Sequence, residues 1–243
     1  MPMSPAELAM LIGAALAAST VAAITGTGGG LILLPAMTLL FGLRDAVPMF
    51  AVAQLVGNLS RVILNRREVR LPVVGWFALG ALPMAVLGAV AFARAPEAGL
   101  VRGLGSFLII SVIVRHAQKK RLRTFSPRWF TPIGALFAFI SAIIGTAGPF
   151  MAPFFLAFGL TKGAYIGTEA MATLAMHAGK IPTYYITGTL SHVAIMVGLA
   201  LGPVMILGSW HGKRIVDRIP GRSFAIMIDA VVLAFGVLFL LRG

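Results

Sequence analysis

Apolar stretches near twenty residues long recur along this chain, separated by little more than short loops that fall at glycines, prolines and clusters of basic residues. Five such segments can be read in each half: 5–24, 31–43, 46–64, 71–93 and 100–115, then 129–145, 149–160, 163–180, 192–210 and 222–241. Length and apolarity of this kind predict membrane-spanning helices. A helix satisfies its own backbone in lipid, and no segment shows the alternating ten-residue pattern of a membrane barrel. Ser4, Pro5 and Glu7 predict a capping-box start for the first helix. A cleaved signal peptide with Ala15-Leu16-Ala17 at its cleavage site is disfavoured, because no basic region precedes Leu8.

The pattern repeats. Gly26-Thr27-Gly28-Gly29-Gly30 followed by Pro35 returns as Gly145-Thr146-Ala147-Gly148-Pro149 followed by Pro153; Phe41-Gly42-Leu43 returns as Phe158-Gly159-Leu160, and Pro83 with Gly88 as Pro203 with Gly208. The offsets stay between 117 and 120, so the chain reads as a duplication, residues 1–124 and 125–243. Five segments per half make the copies inverted relative to one another, an architecture many secondary transporters use. The expected fold is an all-α polytopic membrane protein of two inverted-topology repeats, with short or re-entrant helices after each Gly-rich break.

Charge supports that parity. The 20 Lys and Arg against 7 acids give a formal charge of +13, which in a soluble protein would suggest nucleic acid. Fourteen of the 20 fall in three clusters instead: Arg61, Arg66, Arg67 and Arg70; Arg115, Lys119, Lys120, Arg121, Arg123 and Arg128; Lys213, Arg214, Arg218 and Arg222. Odd parity puts all three on the cytoplasmic side and both termini outside, as the positive-inside rule requires. The charge then reads as topology and attraction to anionic lipid, with no nucleic acid partner. Side chains that are 59% hydrophobic and only 11% charged exclude a soluble enzyme, since soluble domains carry about 25% charged residues. Zero cysteines and four scattered histidines leave no metal site, and no cofactor is expected.

Two features could carry chemistry. Each Gly-rich break ends one helix and opens a short next one, so free amides and a positive helix end converge where a ligand can approach closely. This makes Thr25, Gly26, Thr27, Gly28, Gly29 and Gly30, with Gly145, Thr146, Ala147 and Gly148, candidate anion-binding residues; close helix packing is the competing reading. The third helix of each half supplies the second feature. Gln54, Asn58 and Arg61 share one helical face, as do Glu169, Thr173, His177 and Lys180, and Asn58 corresponds to His177 at an offset of 119. Polar groups at membrane depth line pathways or bind neighbouring helices, so Gln54, Asn58, Thr173 and His177 join the substrate-binding candidates. Arg61 and Lys180, read as helix-end residues, are expected to snorkel. Glu169 is expected to carry a coupling proton, or to neutralise Lys162 or Lys180, and His177 is a second coupling candidate. Asp229, the other acid inside an apolar segment, is expected to be structural. Arg44-Asp45 and Arg94 with Glu97 read as neutralised turn charges.

The Gly26 to Pro35 motif, its degenerate copy from Gly145 to Pro153, the basic loop after the third helix and the chain length together resemble the TauE/SafE sulfite exporter family. The second copy departs from the pattern, with Ala147 and Pro149 where glycines would be expected. The resemblance implies a polytopic transporter of the bacterial inner membrane that carries small sulfur-containing anions such as sulfite, sulfoacetate or other organosulfonates. Alternating access around an anion held at the breaks is the expected mechanism, with proton coupling and a homodimer as further expectations. A passive anion channel and an intramembrane enzyme are the alternatives; the latter lacks a convincing nucleophile.

Overall fold

The computed structural model describes residues 3–26, 29–117, 126–215 and 221–242, without the side chains of 115–117, 215 and 221–231. The described residues form helices joined by turns, with no strand among them. The first half contains α1 (Pro5–Thr25), α2 (Gly30–Phe41), α3 (Leu43–Leu64), α4 (Leu71–Arg94) and α5 (Glu97–Ala117). After a 3-10 turn at Pro127–Trp129, the second contains α6 (Phe130–Ile144), α7 (Gly148–Ala157), α8 (Lys162–Ile186), α9 (His192–Ala200), α10 (Gly202–Ile215) and α11 (Gly221–Arg242). Among the described residues six spans are long and apolar enough to cross a membrane: Pro5–Thr25, Leu43–Leu64, Leu71–Arg94, Glu97–Val114, Pro127–Ile144 and His192–Arg214. The 25-residue α8 is long enough as well, but it carries Glu169, His177 and Lys180 in its interior.

The first helix starts as its sequence dictates. The Ser4 hydroxyl accepts from the Glu7 amide at 3.3 Å and Glu7 accepts from the Ser4 amide at 2.8 Å, a complete capping box. The segment 192–210 departs from the single helix expected of it. It is interrupted at Leu201, because Pro203 has no amide hydrogen and its ring crowds the preceding turn. The segment 163–180 runs a further turn and a half, to Ile186. The short helices, of 12 and 10 residues, cover about 18 and 15 Å.

Small residues decide which helices meet. A Cβ on Gly80 would lie 2.0 Å from the Thr131 carbonyl and one on Gly134 would lie 2.3 Å from the Phe77 carbonyl, so α4 and α6 touch backbone to backbone. Gly208 and Gly212 do the same for α10 against Leu16 and Thr20 of α1. The fourth segment of each half, α4 and α10, thus packs on the first helix of the other, α6 and α1. The two third helices, α3 and α8, pack on each other at the centre, and α5 packs on α11. Every one of these cross-half contacts maps onto another, or onto itself, when the halves are exchanged.

Candidate functional site

Both Gly-rich breaks meet the central helix pair at one cavity of about 40 Å³. The α1 helix ends at Gly26, whose φ of +76° is the left-handed conformation that favours glycine, and α6 ends at Gly145 with a φ of +96°. Among the described residues neither α2 nor α7 has a side chain capping its first turn. Their leading residues Gly29, Gly30, Ala147 and Gly148 line the cavity with Thr146. The breaks also touch each other: a Cβ on Gly30 would lie 2.5 Å from the Thr146 hydroxyl. Gly29 serves packing, since a Cβ there would lie 2.6 Å from the Ala18 carbonyl of α1. Gly29 and Gly30 thus both line the cavity and allow close packing, on α1 and on Thr146 respectively.

From α3 come Gln54, Asn58 and Arg61, and from α8 Glu169, Thr173, His177 and Lys180, all lining the same space. Thr25 does not join them: it is exposed, and its hydroxyl donates to Val21 of its own helix at 2.9 Å. Thr27 and Gly28 lie outside the described residues, as do the side chains of Asp229, Arg115 and the basic residues of 119–123, Arg218 and Arg222.

The expectation that Arg61 and Lys180 snorkel is wrong. They are only 5% and 1% exposed, because α3 ends beneath α8 and α10 and because α8 continues past Lys180. Each cation reaches back to the glycine that ends the first helix of its own half. Arg61 Nη1 donates to the Gly26 carbonyl at 2.6 Å; Lys180 Nζ donates to the Gly145 carbonyl at 3.3 Å. A cation is favourable there, since a helix C-terminus exposes carbonyls and the negative end of the dipole.

Their other partners differ. Arg61 pairs with Glu169 at 3.3 Å, and Thr173 donates to the same carboxylate at 3.1 Å. Glu169 therefore neutralises Arg61, and neither Lys162 nor Lys180 as expected; Lys180 stands eleven residues on, about 16 Å along the helix. Lys180 is held by neutral oxygens alone: the Ser141 hydroxyl at 2.9 Å and the Ser141 and Gly145 carbonyls at 3.3 Å. Among the described residues no carboxylate lies within ion-pairing distance of it. Two cations and one carboxylate line the cavity. Arg44, expected to balance Asp45, instead donates to Ala93 at 3.1 Å and to Ala95, capping the end of α4.

The hydrogen-bond pattern fixes one further donor. A guanidinium only donates, so the Asn58 atom that Arg61 meets is the amide oxygen. The Asn58 NH2 group then donates to the Gln54 carbonyl at 2.7 Å and to His177 Nε2 at 3.3 Å. With Nε2 accepting, neutral His177 carries its hydrogen on Nδ1. That atom is buried and has no partner among the described residues.

Residues 11–239 match the family described as Sulfite exporter TauE/SafE. The chain belongs to this family. The match covers all but the ends of the 243 residues, and the helices long enough to span fit a multi-pass membrane protein of a transporter family. No curated protein and no solved structure matches the chain significantly.

The sequence pointed to most of this cavity but assigned Arg61 and Lys180 to the membrane surface and passed over Ser141. A signal was available: Arg61 and Lys180 share the repeat offset of 119 with Gly26 and Gly145, the glycines they bind.

Proposed function

We propose that the protein is a secondary transporter that exports small sulfur-containing anions across the bacterial inner membrane, and that the cavity between the two Gly-rich breaks is its substrate site. The observation that carries this reading is Lys180, a buried ammonium with no counter-charge among the described residues, beside an already neutralised Arg61–Glu169 pair. An isolated buried charge is costly unless something pairs with it. A bound anion completes the balance, and receives His177 Nδ1–H, the leading amides of α2 and the Gly148 amide of α7 as donors. At roughly 10–15 Å³ per water, a cavity of about 40 Å³ has room for three or four waters. That space suits a compact oxyanion such as sulfite; sulfoacetate or another organosulfonate requires the cavity to widen.

The exchanged helix pairs and the symmetric contacts of Arg61 and Lys180 support inverted repeats, 1–124 and 125–243, that rock around the site in alternating access. With the basic loops cytoplasmic, both termini are periplasmic. Glu169 is the coupling group in this scheme. A proton on it adds one positive charge to the cavity and an anion removes one, so each favours the other. His177 serves as a fixed neutral donor, since a proton on Nε2 would face the Asn58 NH2 group. The reaction is transport, with no covalent chemistry.

Uptake into proteoliposomes from a panel of sulfite, thiosulfate, sulfoacetate, sulfate and carboxylates tests the proposal. Saturable transport confined to one or more sulfur oxyanions is expected. Conductance without saturation would indicate a channel, and no transport of any sulfur anion would contradict the substrate assignment.

A further inference from the structure

Away from the central cavity, a groove of about 210 Å³ runs between α3 and α10 on the outer surface of the bundle. Its walls are Val56, Leu59, Ile63 and Leu64 of α3 with Ile206 and Trp210 of α10. Ser60 also borders it, but its hydroxyl is turned onto the Gly57 carbonyl at 2.8 Å, so the trough presents hydrocarbon. From Val56 to Leu64 it extends about 12 Å along the helix at 1.5 Å per residue. Exposed apolar side chains alone mean little on a helix that faces lipid. The way this groove ends is more informative.

At its Leu64 end the apolar walls give way to cations. Lys213 Nζ donates to the Leu64 carbonyl at 2.5 Å and to Asn65 Oδ1 at 3.4 Å, which places this ammonium directly over the mouth. The Arg214 guanidinium lies 3.5 Å from the centroid of the Trp210 ring that forms one wall. Arg66 follows Leu64 by two residues and is exposed, as are Lys213 and Arg214. The acid of this loop is engaged elsewhere: Glu68 lies against α8, where a Cβ on Gly163 would be 2.2 Å from its carboxylate. A hydrocarbon trough that opens onto Lys213 and Arg214, with Arg66 exposed two residues beyond Leu64, matches an anionic lipid in shape and in charge, and basic pockets between helices at the cytoplasmic surface bind such headgroups.

We propose that this groove is a binding site for one anionic phospholipid, with an acyl chain along Leu59 and Ile63 and the phosphate held by Lys213, Arg214 and Arg66. The site is independent of the anion cavity: α3 turns Asn58 and Arg61 inward and Leu59 and Ile63 outward.

The test uses Trp210 as reporter. The full chain with Trp76→Phe and Trp129→Phe retains it as the sole tryptophan of the three. The protein is placed in phosphatidylcholine vesicles that contain a few mole per cent of either phosphatidylglycerol or phosphatidylcholine with brominated acyl chains. Brominated phosphatidylglycerol should quench Trp210 severalfold more than the same fraction of brominated phosphatidylcholine. At roughly fivefold in affinity per basic contact, Lys213→Gln and Arg66→Gln should together return that ratio to near one. Ile63→Phe, a surface change that fills the trough and leaves the fold intact, should lower quenching by both lipids. Equal quenching by the two lipids in the unmodified groove would overturn the proposal, since the trough would then hold bulk chains without selection. Loss of all quenching on self-association would also overturn it, by assigning the groove to a second copy of the chain.

Discussion

Arg61 and Lys180 stand 119 residues apart, each on the third helix of its half, and each donates to the glycine carbonyl that ends the first helix of that half. They differ in company. Arg61 has the Glu169 carboxylate, whereas Lys180 has the Ser141 hydroxyl and two carbonyls. The position equivalent to Glu169 in the first half is Phe50, and the position equivalent to Ser141 is Ala22. The two positions share the geometry of a cation at a broken helix and differ in charge balance. The first-half cation is closed into an ion pair by a carboxylate from the second half, whereas the second-half cation is an open charge, which is suited to a ligand.

That contrast can be tested first through stability. Arg61→Met leaves Glu169 buried and unpaired, and Glu169→Gln does the same to Arg61. Each should cost about 3–5 kcal/mol, and the double variant should recover most of the loss. Lys180→Met removes a charge with no ionic partner, and the Ser141 carbonyl keeps the Gly145 amide at 2.9 Å. Its cost should stay below about 1 kcal/mol, within the range of ordinary substitutions. Thermal unfolding of the four variants in one detergent checks the ordering.

The next effect in size concerns the contact between the breaks. Gly30→Ala places a methyl group 2.5 Å from the Thr146 hydroxyl and 3.2 Å from Phe50. Overpacking of this kind should destabilise by about 1–3 kcal/mol. Combination with Thr146→Gly should restore part of it, which unfolding measurements on the single and double variants would show.

The smallest effect belongs to the amide between the halves. Asn58→Leu removes the donor to His177 Nε2 and frees the imidazole to change tautomer. Anion affinity should fall about five- to tenfold, the scale of one neutral hydrogen bond. The 13C shifts of the His177 ring should move away from those of the Nδ1–H form. An unchanged tautomer in this variant would show that Asn58 does not set it.

Much of this architecture was legible in the sequence because it rests on local periodicity. The helices follow from apolar runs, the breaks from glycine, and the polar stripes on α3 and α8 from spacings of three and four. What escaped depends on how distant segments cross. The apolar run through α3 stops at Leu64, so Arg61 reads as a helix-end cation; it is buried only because α8 and α10 cover that end. The partner of Glu169 could not be read along α8, because it lies 108 residues away on α3. The interruption before Pro203 was written in the chain, as proline at the second position of a new helix, but the apolar pattern runs through it.

Anion binding to Lys180→Met, set beside the Arg61→Met/Glu169→Gln double variant, tests the central claim most directly. The first loses the open charge and keeps the closed pair; the second keeps the open charge and loses the pair. Removal of a buried charged contact costs about 2–5 kcal/mol, or roughly thirty- to several-thousandfold in affinity. Sulfite binding to purified, folded Lys180→Met should therefore weaken by at least thirtyfold, while the double variant should bind within about tenfold of the unmodified protein. Unchanged affinity in Lys180→Met would contradict the account.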